Sequence, residues 1–157
     1  MLKSFIFSVF ISLTTNIYAN NINLDTDLKK DKVLMVYLHR VGCSYCNAMD
    51  EFTLDDDKII EYIQNNFIYK NINITTDKKI TFKNTTLSGL EFAKKIGYNF
   101  YPSILFLDKN AKVIYASVGY KDEKDLMTIL KYIKNKKYNN MTFNEYKNTL
   151  NLSKYER

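Results

Sequence analysis

Two cysteines at the end of an apolar run constrain this chain more than any other feature. Cys43 and Cys46 are the only cysteines among 157 residues, and two residues separate them. The residues 33–38 before them are apolar or aromatic and uncharged, which predicts a buried strand. The residues after them suit a helix. The pair is therefore predicted to lie where a strand turns into a helix.

The predicted position of Cys43 at a helix start indicates a reactive thiol. Unpaired backbone N–H groups and the positive end of the helix dipole both favour thiolate over thiol there. We expect Cys43 to be the exposed nucleophile. Cys46, one turn further, is predicted to resolve a mixed disulfide formed at Cys43 and release the reduced substrate. The dipole contributes only roughly 0.3–1 kcal/mol, so His39 and Arg40 are candidates for additional positive potential.

A close cysteine pair has three other common uses: a zinc site, a structural disulfide and copper binding. A structural zinc site needs four ligands, whereas the chain offers two thiols and a single histidine. A purely structural disulfide across so short a loop constrains the unfolded chain very little. Copper(I) binding by the two thiols, with Met49 or His39, suits soft ligands and stays open.

The first 19 residues have the pattern of a secretory signal peptide. Lys3 supplies a positive start, residues 5–13 supply an apolar core, and Ala19 provides a cleavage position before Asn20. The apolar core is shorter than the roughly 18 residues of a membrane span. We therefore expect export, with cleavage favoured over a retained anchor. An exported chain with one closely spaced pair is not using disulfides as scaffolding, which favours a working pair.

Length and composition predict one globular domain. A chain of 157 residues that is 46% hydrophobic and 25% charged is long enough for a single core. The formal charge of +6 is spread over lysines along the chain, with no basic run interleaved with aromatics. We interpret it as a solvated basic surface rather than a nucleic-acid site.

Hydrophobic spacing and capping residues predict alternating strands and helices. Pro102, the only proline, directly precedes an apolar strand, where a cis peptide and an edge strand are both possible. Asp122 is expected to cap one helix, and Thr142 with Glu145 fits the capping box of a last helix. The predicted order is a short helix around 27–30, a strand at 33–38, the cysteine helix, a helix from 55–57 to 65–66, a strand at 67–74, a polar connector at 75–86 with a small hairpin around 80–82, a helix at 88–96 ended by Gly97, a strand at 103–107, a turn at 108–111, a strand at 112–117, a helix with apolar positions between 126 and 133, and a helix from 142 to about 150.

This order, together with four motifs, resembles exported thioredoxin-related proteins of the SoxW-like type. A CxxC pair next to a strand–helix–strand pattern is a redox signature. The resemblance covers about residues 32–133. The motifs are Gly42-Cys43-Ser44-Tyr45-Cys46 followed by Met49, residues 92–98 leading into Tyr101-Pro102-Ser103, residues 106–110, and Val118-Gly119-Tyr120.

The resemblance implies an α/β thioredoxin fold, in which helices flank a central mixed β-sheet, with an added C-terminal helix. The expected layout is a signal peptide at 1–19 and a thioredoxin-like domain at 20–157, with its core at about 32–135 and a helical extension at about 136–157. Cys43 and Cys46 would be the catalytic residues. Pro102 would be cis beside them, and the backbone of Tyr101 would pair with an extended substrate segment.

The activity that the resemblance implies is that of a periplasmic thiol:disulfide oxidoreductase, with reduction of substrate disulfides favoured. Its partners would be disulfide-containing exported proteins and a membrane or periplasmic thiol electron donor. We expect no cofactor, no metal, no nucleic acid and no stable membrane span in the mature protein. Two rival functions stay open: a copper(I) or haem-pathway metallochaperone that uses the same sulfurs, and a redox-inactive binding module with this fold.

The chain departs from ordinary thioredoxin next to the cysteine pair. Gly42 replaces the tryptophan usual before the first cysteine, and Tyr37 occupies the place of a buried acid on the first strand. Lys70 on the second strand could lie near the pair, but no acid partner for it is evident. Glu51 or a water is therefore our candidate relay for the proton of the resolving thiol. We interpret His39 as a polar residue at a strand end rather than a catalyst.

Overall fold

The computed structural model of the protein describes residues 21–77 and 79–155. The predicted signal peptide lies outside these residues. Within them, no helix is both long and apolar enough to cross a bilayer. The elements in chain order are β1 (Ile22–Asn23), α1 (Leu24–Leu28), β2 (Leu34–His39), α2 (Ser44–Met49), a π-helical turn (Asp50–Leu54), α3 (Asp57–Asn66), β3 (Ile68–Asn73), β4 (Ile80–Phe82), β5 (Thr85–Leu87), α4 (Gly89–Ile96), β6 (Ser103–Leu107), β7 (Val113–Val118), α5 (Glu123–Lys134), a 3₁₀ turn (Lys137–Asn139) and α6 (Phe143–Tyr155).

A four-stranded mixed sheet forms the centre of the fold. Its strand order is β3-β2-β6-β7, with β3 parallel to β2 and the other neighbours antiparallel. The first five residues of β2 are completely buried, because helices cover both faces of the sheet. This is why β2 is an uninterrupted apolar run instead of an alternating one.

The two faces of the sheet carry separate hydrophobic clusters. Met35 and Tyr37 of β2 point into the cluster formed with α2, α3, α5 and α6. Leu34, Val36 and Leu38 point into the cluster formed with α1, α4 and the β4–β5 hairpin. Alternate residues of one strand therefore serve opposite layers, and the predicted mixed α/β architecture is confirmed.

A second sheet of three short strands was only partly predicted. The hairpin of β4 and β5 lies where the sequence indicated one, but β1 also pairs with β4 in parallel. Asp25 in α1 fixes the hairpin, since its carboxylate accepts hydrogen bonds from the amides of Lys83 and Asn84 at 2.7 Å each. Both of these turn residues have positive φ.

Side-chain caps define the helix boundaries that the sequence indicated. Asp56 caps α3, Asp122 caps α5, and Ser88 forms a capping box with Glu91 at the start of α4. Gly97 ends α4 in the left-handed conformation with φ of 86°. The π-helical turn is tied to the loop before α5, because the buried Thr53 hydroxyl donates to the carbonyl of Lys121 at 2.8 Å.

Three expectations about elements are corrected. The short N-terminal helix is Leu24–Leu28 and not around 27–30, because the Asn23 side chain caps it by accepting from the amide of Thr26. The strand after Pro102 is not an edge strand, since β7 pairs with its outer side. The last helix, α6, continues past 150 to Tyr155.

Candidate functional site

The cysteine pair lies at the predicted junction of strand and helix. Cys43 is the N-cap of α2, and its Sγ accepts a hydrogen bond from the amide of Cys46 at 3.2 Å. The two residues form a disulfide with an S–S distance of 2.06 Å and a Cα–Cα distance of 5.2 Å. Gly42 precedes them with φ of 72°, a left-handed conformation that a tryptophan there would adopt only with strain. The glycine lets the chain turn sharply from β2 into α2.

The two cysteine residues differ in solvent accessibility, but by less than expected. Cys43 retains 6% of its surface and Cys46 retains none, so the prediction of an exposed Cys43 is wrong for the disulfide form. The physical reason is that the Cys43 side chain turns inward, bonded to Cys46 and to its amide. The intervening residues Ser44 and Tyr45 are exposed, and Cys43 is the more accessible cysteine of the pair.

Tyr37 lies next to Cys46. Its side chain is completely buried, and its hydroxyl donates a hydrogen bond to the backbone carbonyl of Cys46 at 3.3 Å. The same carbonyl accepts from the amide of Asp50. His39 stacks on the Tyr37 ring, with centroids 5.1 Å apart and ring planes 2° from parallel. The phenol of Tyr37, which has one proton to donate, thus occupies the position at which the resemblance implies a buried acid.

Asp50 is a half-buried carboxylate next to this tyrosine, and sequence reasoning missed it. Burial raises the pKa of Tyr37, and the charge of Asp50 and a hydrogen bond with its side chain raise it further. Burial and the charge of Asp50 also raise the pKa of Tyr69 on β3. The Asp50 carboxylate therefore faces two tyrosines that stay protonated at neutral pH. Its spacing of four residues from Cys46 was the signal in the sequence that could have identified it.

Pro102 and Tyr101 lie at the same end of the sheet as the cysteine loop. The β2–β6 register pairs Leu38 with Ser103, which places Pro102 across from the end of β2. The Tyr101–Pro102 peptide bond is cis. Burial raises the pKa of Tyr101, and the positive charge of Arg40, which precedes the cysteines, partly offsets the rise.

The backbone groups around Pro102 differ in their hydrogen bonding. The carbonyl of Pro102 accepts a hydrogen bond from the amide of Gly119 at 2.8 Å. The amide and carbonyl of Tyr101 have no hydrogen-bond partner within residues 21–77 and 79–155. Two large aromatic side chains are exposed in the segments that carry the cysteines and Pro102, with Tyr45 70% and Phe100 74% accessible.

Lys70 does not face the cysteine pair. It pairs in register with Val36 of β2, on the face of the sheet that α1 covers, and its Nζ lies 3.0 Å from the Asp27 carboxylate. Burial opposes ionisation of Asp27, but hydrogen bonds and charges from Lys30 and Lys70 outweigh it and hold the pKa below 3.8. The expectation that Lys70 could lie near the cysteine pair is therefore wrong, and Asp27 is an acid partner that was not evident in the sequence. The long sequence separation hid that partner.

The remaining candidates lie around the site without joining its centre. Glu51 is exposed, whereas its neighbour Asp50 is turned toward the tyrosines. Met49 is completely buried in the core, away from solvent. In the part of the chain that the structure describes, no three histidine, cysteine or acidic side chains are grouped as metal ligands.

Comparisons with known proteins agree on one family and one fold. Residues 23–134 match the family described as thioredoxin-like domain. A thioredoxin-fold protein from Helicobacter pylori is 26% identical and superposes with a TM-score of 0.65, covering 78% of this chain and 86% of that one. The predicted thioredoxin fold is confirmed.

Two further structures share the fold at lower identity. A thioredoxin from Thermus thermophilus is 21% identical with a TM-score of 0.53, covering 65% of this chain and 73% of that one. The oxidised C-terminal domain of DsbD from Neisseria meningitidis is 15% identical with a TM-score of 0.53, covering 71% and 88%. No curated protein sequence matches the chain significantly.

Proposed function

This chain belongs to the family of thioredoxin-like domains, and from that premise we propose that it is a thiol:disulfide oxidoreductase whose Cys43–Cys46 pair alternates between disulfide and dithiol. The observation that carries the proposal is the pair itself, bonded across the first turn of α2 with the more accessible sulfur at the N-cap. Helix N-termini favour thiolate, which is the attacking form in disulfide exchange.

In the favoured direction, the dithiol form reduces a substrate disulfide in two exchanges. The Cys43 thiolate attacks one substrate sulfur, and the other substrate sulfur leaves as a thiolate with the electron pair of the broken bond. Cys46 then loses its proton and attacks the Cys43 sulfur, which releases the second substrate thiol. The substrate gains two electrons and two protons, and the pair ends as the disulfide. A thiol electron donor regenerates the dithiol.

Substrate binding is proposed at Tyr101 and Pro102. The unpaired amide and carbonyl of Tyr101 support pairing with an extended segment of the substrate, a form of strand addition. The exposed rings of Tyr45 and Phe100 would contact apolar residues of that segment.

The setting we propose is the periplasm, as for the SoxW-like proteins that the sequence resembles. Residues 1–19 would direct export, and residues 20–157 would form the mature domain. The partners would be exported proteins with disulfides and a membrane or periplasmic thiol donor.

The proposal is tested by trapping. Cys46→Ala should accumulate mixed disulfides with exported proteins, because the intermediate at Cys43 cannot be resolved, and these should disappear on treatment with dithiothreitol. Cys43→Ala is the matched control and should trap none. If neither variant traps a partner and the unmodified protein reduces no insulin disulfides, the oxidoreductase assignment is wrong.

The direction of the reaction is tested by the reduction potential of the pair against glutathione. A reduction potential of about −270 mV, the value for thioredoxin, would support a reductant. A potential of about −120 mV would instead indicate that the pair oxidises its substrates.

A further inference from the structure

The segment that leads into Pro102 has no regular secondary structure of its own. Helix α4 ends at Ile96 and strand β6 begins at Ser103, and the residues between them form turns and bends. Tyr101 in this segment is where the proposed function, on which this inference rests, places the pairing with substrate. A segment without a helix or strand keeps a fixed shape only where hydrogen bonds or packing hold it.

The Pro102 end of the segment is held by a loop that is itself restrained. The Gly119 amide donates to the Pro102 carbonyl at 2.8 Å. The Lys121 ammonium donates to the carbonyls of residues 118, 119 and 120 at 2.9, 3.3 and 3.0 Å. The Lys121 carbonyl accepts from the buried Thr53 hydroxyl at 2.8 Å, which ties the loop to the π-helical turn. The position of the Pro102 carbonyl is therefore fixed from outside the segment.

The Phe100 end of the segment is held by the side chain of Ser103. This serine is completely buried, and its hydroxyl donates to the Phe100 carbonyl at 2.6 Å. The hydrogen bond closes a turn that contains Tyr101 and Pro102. The Phe100 side chain is 74% exposed, so packing contributes little to its position. The orientation of the peptide unit between Phe100 and Tyr101 therefore depends on the Ser103 hydroxyl.

We propose that Ser103 is a positioning residue for polypeptide substrates, because its hydroxyl sets the direction of the Tyr101 amide. The Phe100 carbonyl and the Tyr101 amide belong to one peptide unit, and in a planar trans unit these two groups point in opposite directions. Ser103 holds the carbonyl toward the buried side of the turn, which aims the amide away from it, toward an incoming strand. A binding group that is oriented before the substrate arrives lowers the ordering cost of binding.

The sheet itself does not depend on this hydroxyl. The Ser103 backbone pairs with Leu38 of β2 on one side and with Val118 of β7 on the other. Removing the hydroxyl should therefore leave β6 in place and change only the segment before it. This separation allows the role of the side chain in binding to be measured apart from the fold.

The test compares a disulfide within a polypeptide with one that has no backbone to pair. The polypeptide substrate is insulin, for which kcat and KM are measured with dithiothreitol as the thiol donor. The small substrate is the aromatic disulfide of thionitrobenzoate, and its second-order reaction with the reduced protein is followed by stopped flow. The variants are Ser103→Ala, Ser103→Thr and the matched control Ser117→Ala, which alters a buried serine paired with Ile104 in the same sheet.

We expect Ser103→Ala to raise the KM for insulin about three- to tenfold, which is the effect of losing one hydrogen bond in binding. Its kcat should stay within about twofold, because a contact made equally in the ground state and the transition state affects KM alone. The rate with the aromatic disulfide should also stay within about twofold, since that substrate makes no strand pairing. Ser103→Thr keeps the hydroxyl and should restore the KM, and Ser117→Ala should match the unmodified protein.

The role of Ser103 is overturned by an unchanged KM for insulin in Ser103→Ala, or by the same rise in Ser117→Ala. An equal loss with both disulfides would also overturn it, because the effect would then lie at the cysteine pair. If Ser103→Thr behaves like Ser103→Ala, or if circular dichroism shows Ser103→Ala unfolded, the side chain serves packing and not binding.

These outcomes leave the proposed function intact, since the unmodified protein reduces both disulfides in each of them. If the unmodified protein reduces neither disulfide, the oxidoreductase assignment is wrong and the role of Ser103 is rejected with it.

Discussion

At the scale of single residues, the phenol of Tyr37 determines what surrounds the cysteine pair. It fills the layer beneath Cys46, shares the Cys46 carbonyl with the Asp50 amide, and carries the stacked ring of His39. The sequence predicted the placement of the cysteines, because a CxxC between a strand and a helix has one common geometry. The sequence did not predict that Asp50 lies next to Tyr37, because this depends on which way a half-buried side chain turns.

Gly89 gives the first prediction at this scale. A Cβ there would lie 2.6 Å from the Ile74 Cα and 2.9 Å from the Asn73 carbonyl oxygen, both backbone atoms that cannot move independently. Alanine usually stabilises a helix relative to glycine, but here we expect Gly89→Ala to lower the free energy of unfolding by about 1–3 kcal/mol. Urea denaturation measures the change.

The neighbouring helical position provides the control for Gly89. Leu90 is exposed, so Leu90→Ala should change the free energy of unfolding much less. A Gly89→Ala variant as stable as the unmodified protein would show that α4 can shift away from the Asn73–Ile74 backbone at little cost.

At the scale of elements, the sequence predicted those that depend on local patterns. The central strands are apolar runs, and the helices α3, α4 and α5 begin at side-chain caps that are visible in the sequence. It missed the pairing of β1 with β4, because a two-residue strand has no periodicity to detect. It also missed the ion pair between Asp27 and Lys70, which joins α1 to β3 across the chain.

The hydrogen bonds between Asp25 and the β4–β5 hairpin give a prediction at this scale. Asp25→Ala removes the acceptor for two turn amides, those of Lys83 and Asn84. Hydrogen bonds to charged groups contribute about 1.5–3 kcal/mol, so we expect a loss of stability in that range and faster hydrogen exchange at both amides. Asp31→Ala removes an exposed acid and serves as the control. Unchanged exchange at Lys83 and Asn84 would show that the hairpin holds without this contact.

At the scale of the whole molecule, the sheet separates two layers with different tasks. One layer holds the cysteine helix, Tyr37 and the aromatic side chains that attach α6, including Tyr146 and Phe143. The other holds α1, α4 and the buried carboxylate of Asp27 with its two lysines. The ion pairs of the buried Asp27 carboxylate therefore lie on the opposite side of the sheet from the cysteine pair.

Three carboxylates with lowered pKa values predict how the stability of the protein depends on pH. Lysine partners hold the pKa of Asp27 below 3.8, and hydrogen bonds from Ser88 and Thr142 hold the pKa values of Glu91 and Glu145 below 4.5. Groups with lowered pKa values stabilise the folded state above their unfolded values, and this contribution is lost as the pH falls through the folded values. We expect the contribution of these groups to the free energy of unfolding to be constant above about pH 5 and to fall below about pH 4. Urea denaturation at a series of pH values measures it.

Asp27→Asn isolates the one buried carboxylate among these three groups. It should destabilise the protein at pH 7, because Lys70 keeps its charge without its partner, by about 1–3 kcal/mol. The further loss between pH 5 and pH 3 should be smaller than in the unmodified protein. Asp31→Asn should keep the full acid sensitivity, and an equal loss in Asp27→Asn would assign that sensitivity to other carboxylates.

The π-helical turn also acts as a spacer of fixed length. Its Thr53 end is held by the Lys121 carbonyl, and its Asp50 end continues the helix that carries both sulfurs. Each residue of a regular helix advances about 100° around the axis. Shortening the turn by one residue would rotate α2 by about that angle relative to Thr53, and both cysteines would turn with the helix. The direction in which the cysteines point therefore depends on the number of residues between them and Thr53, and not only on which residues these are.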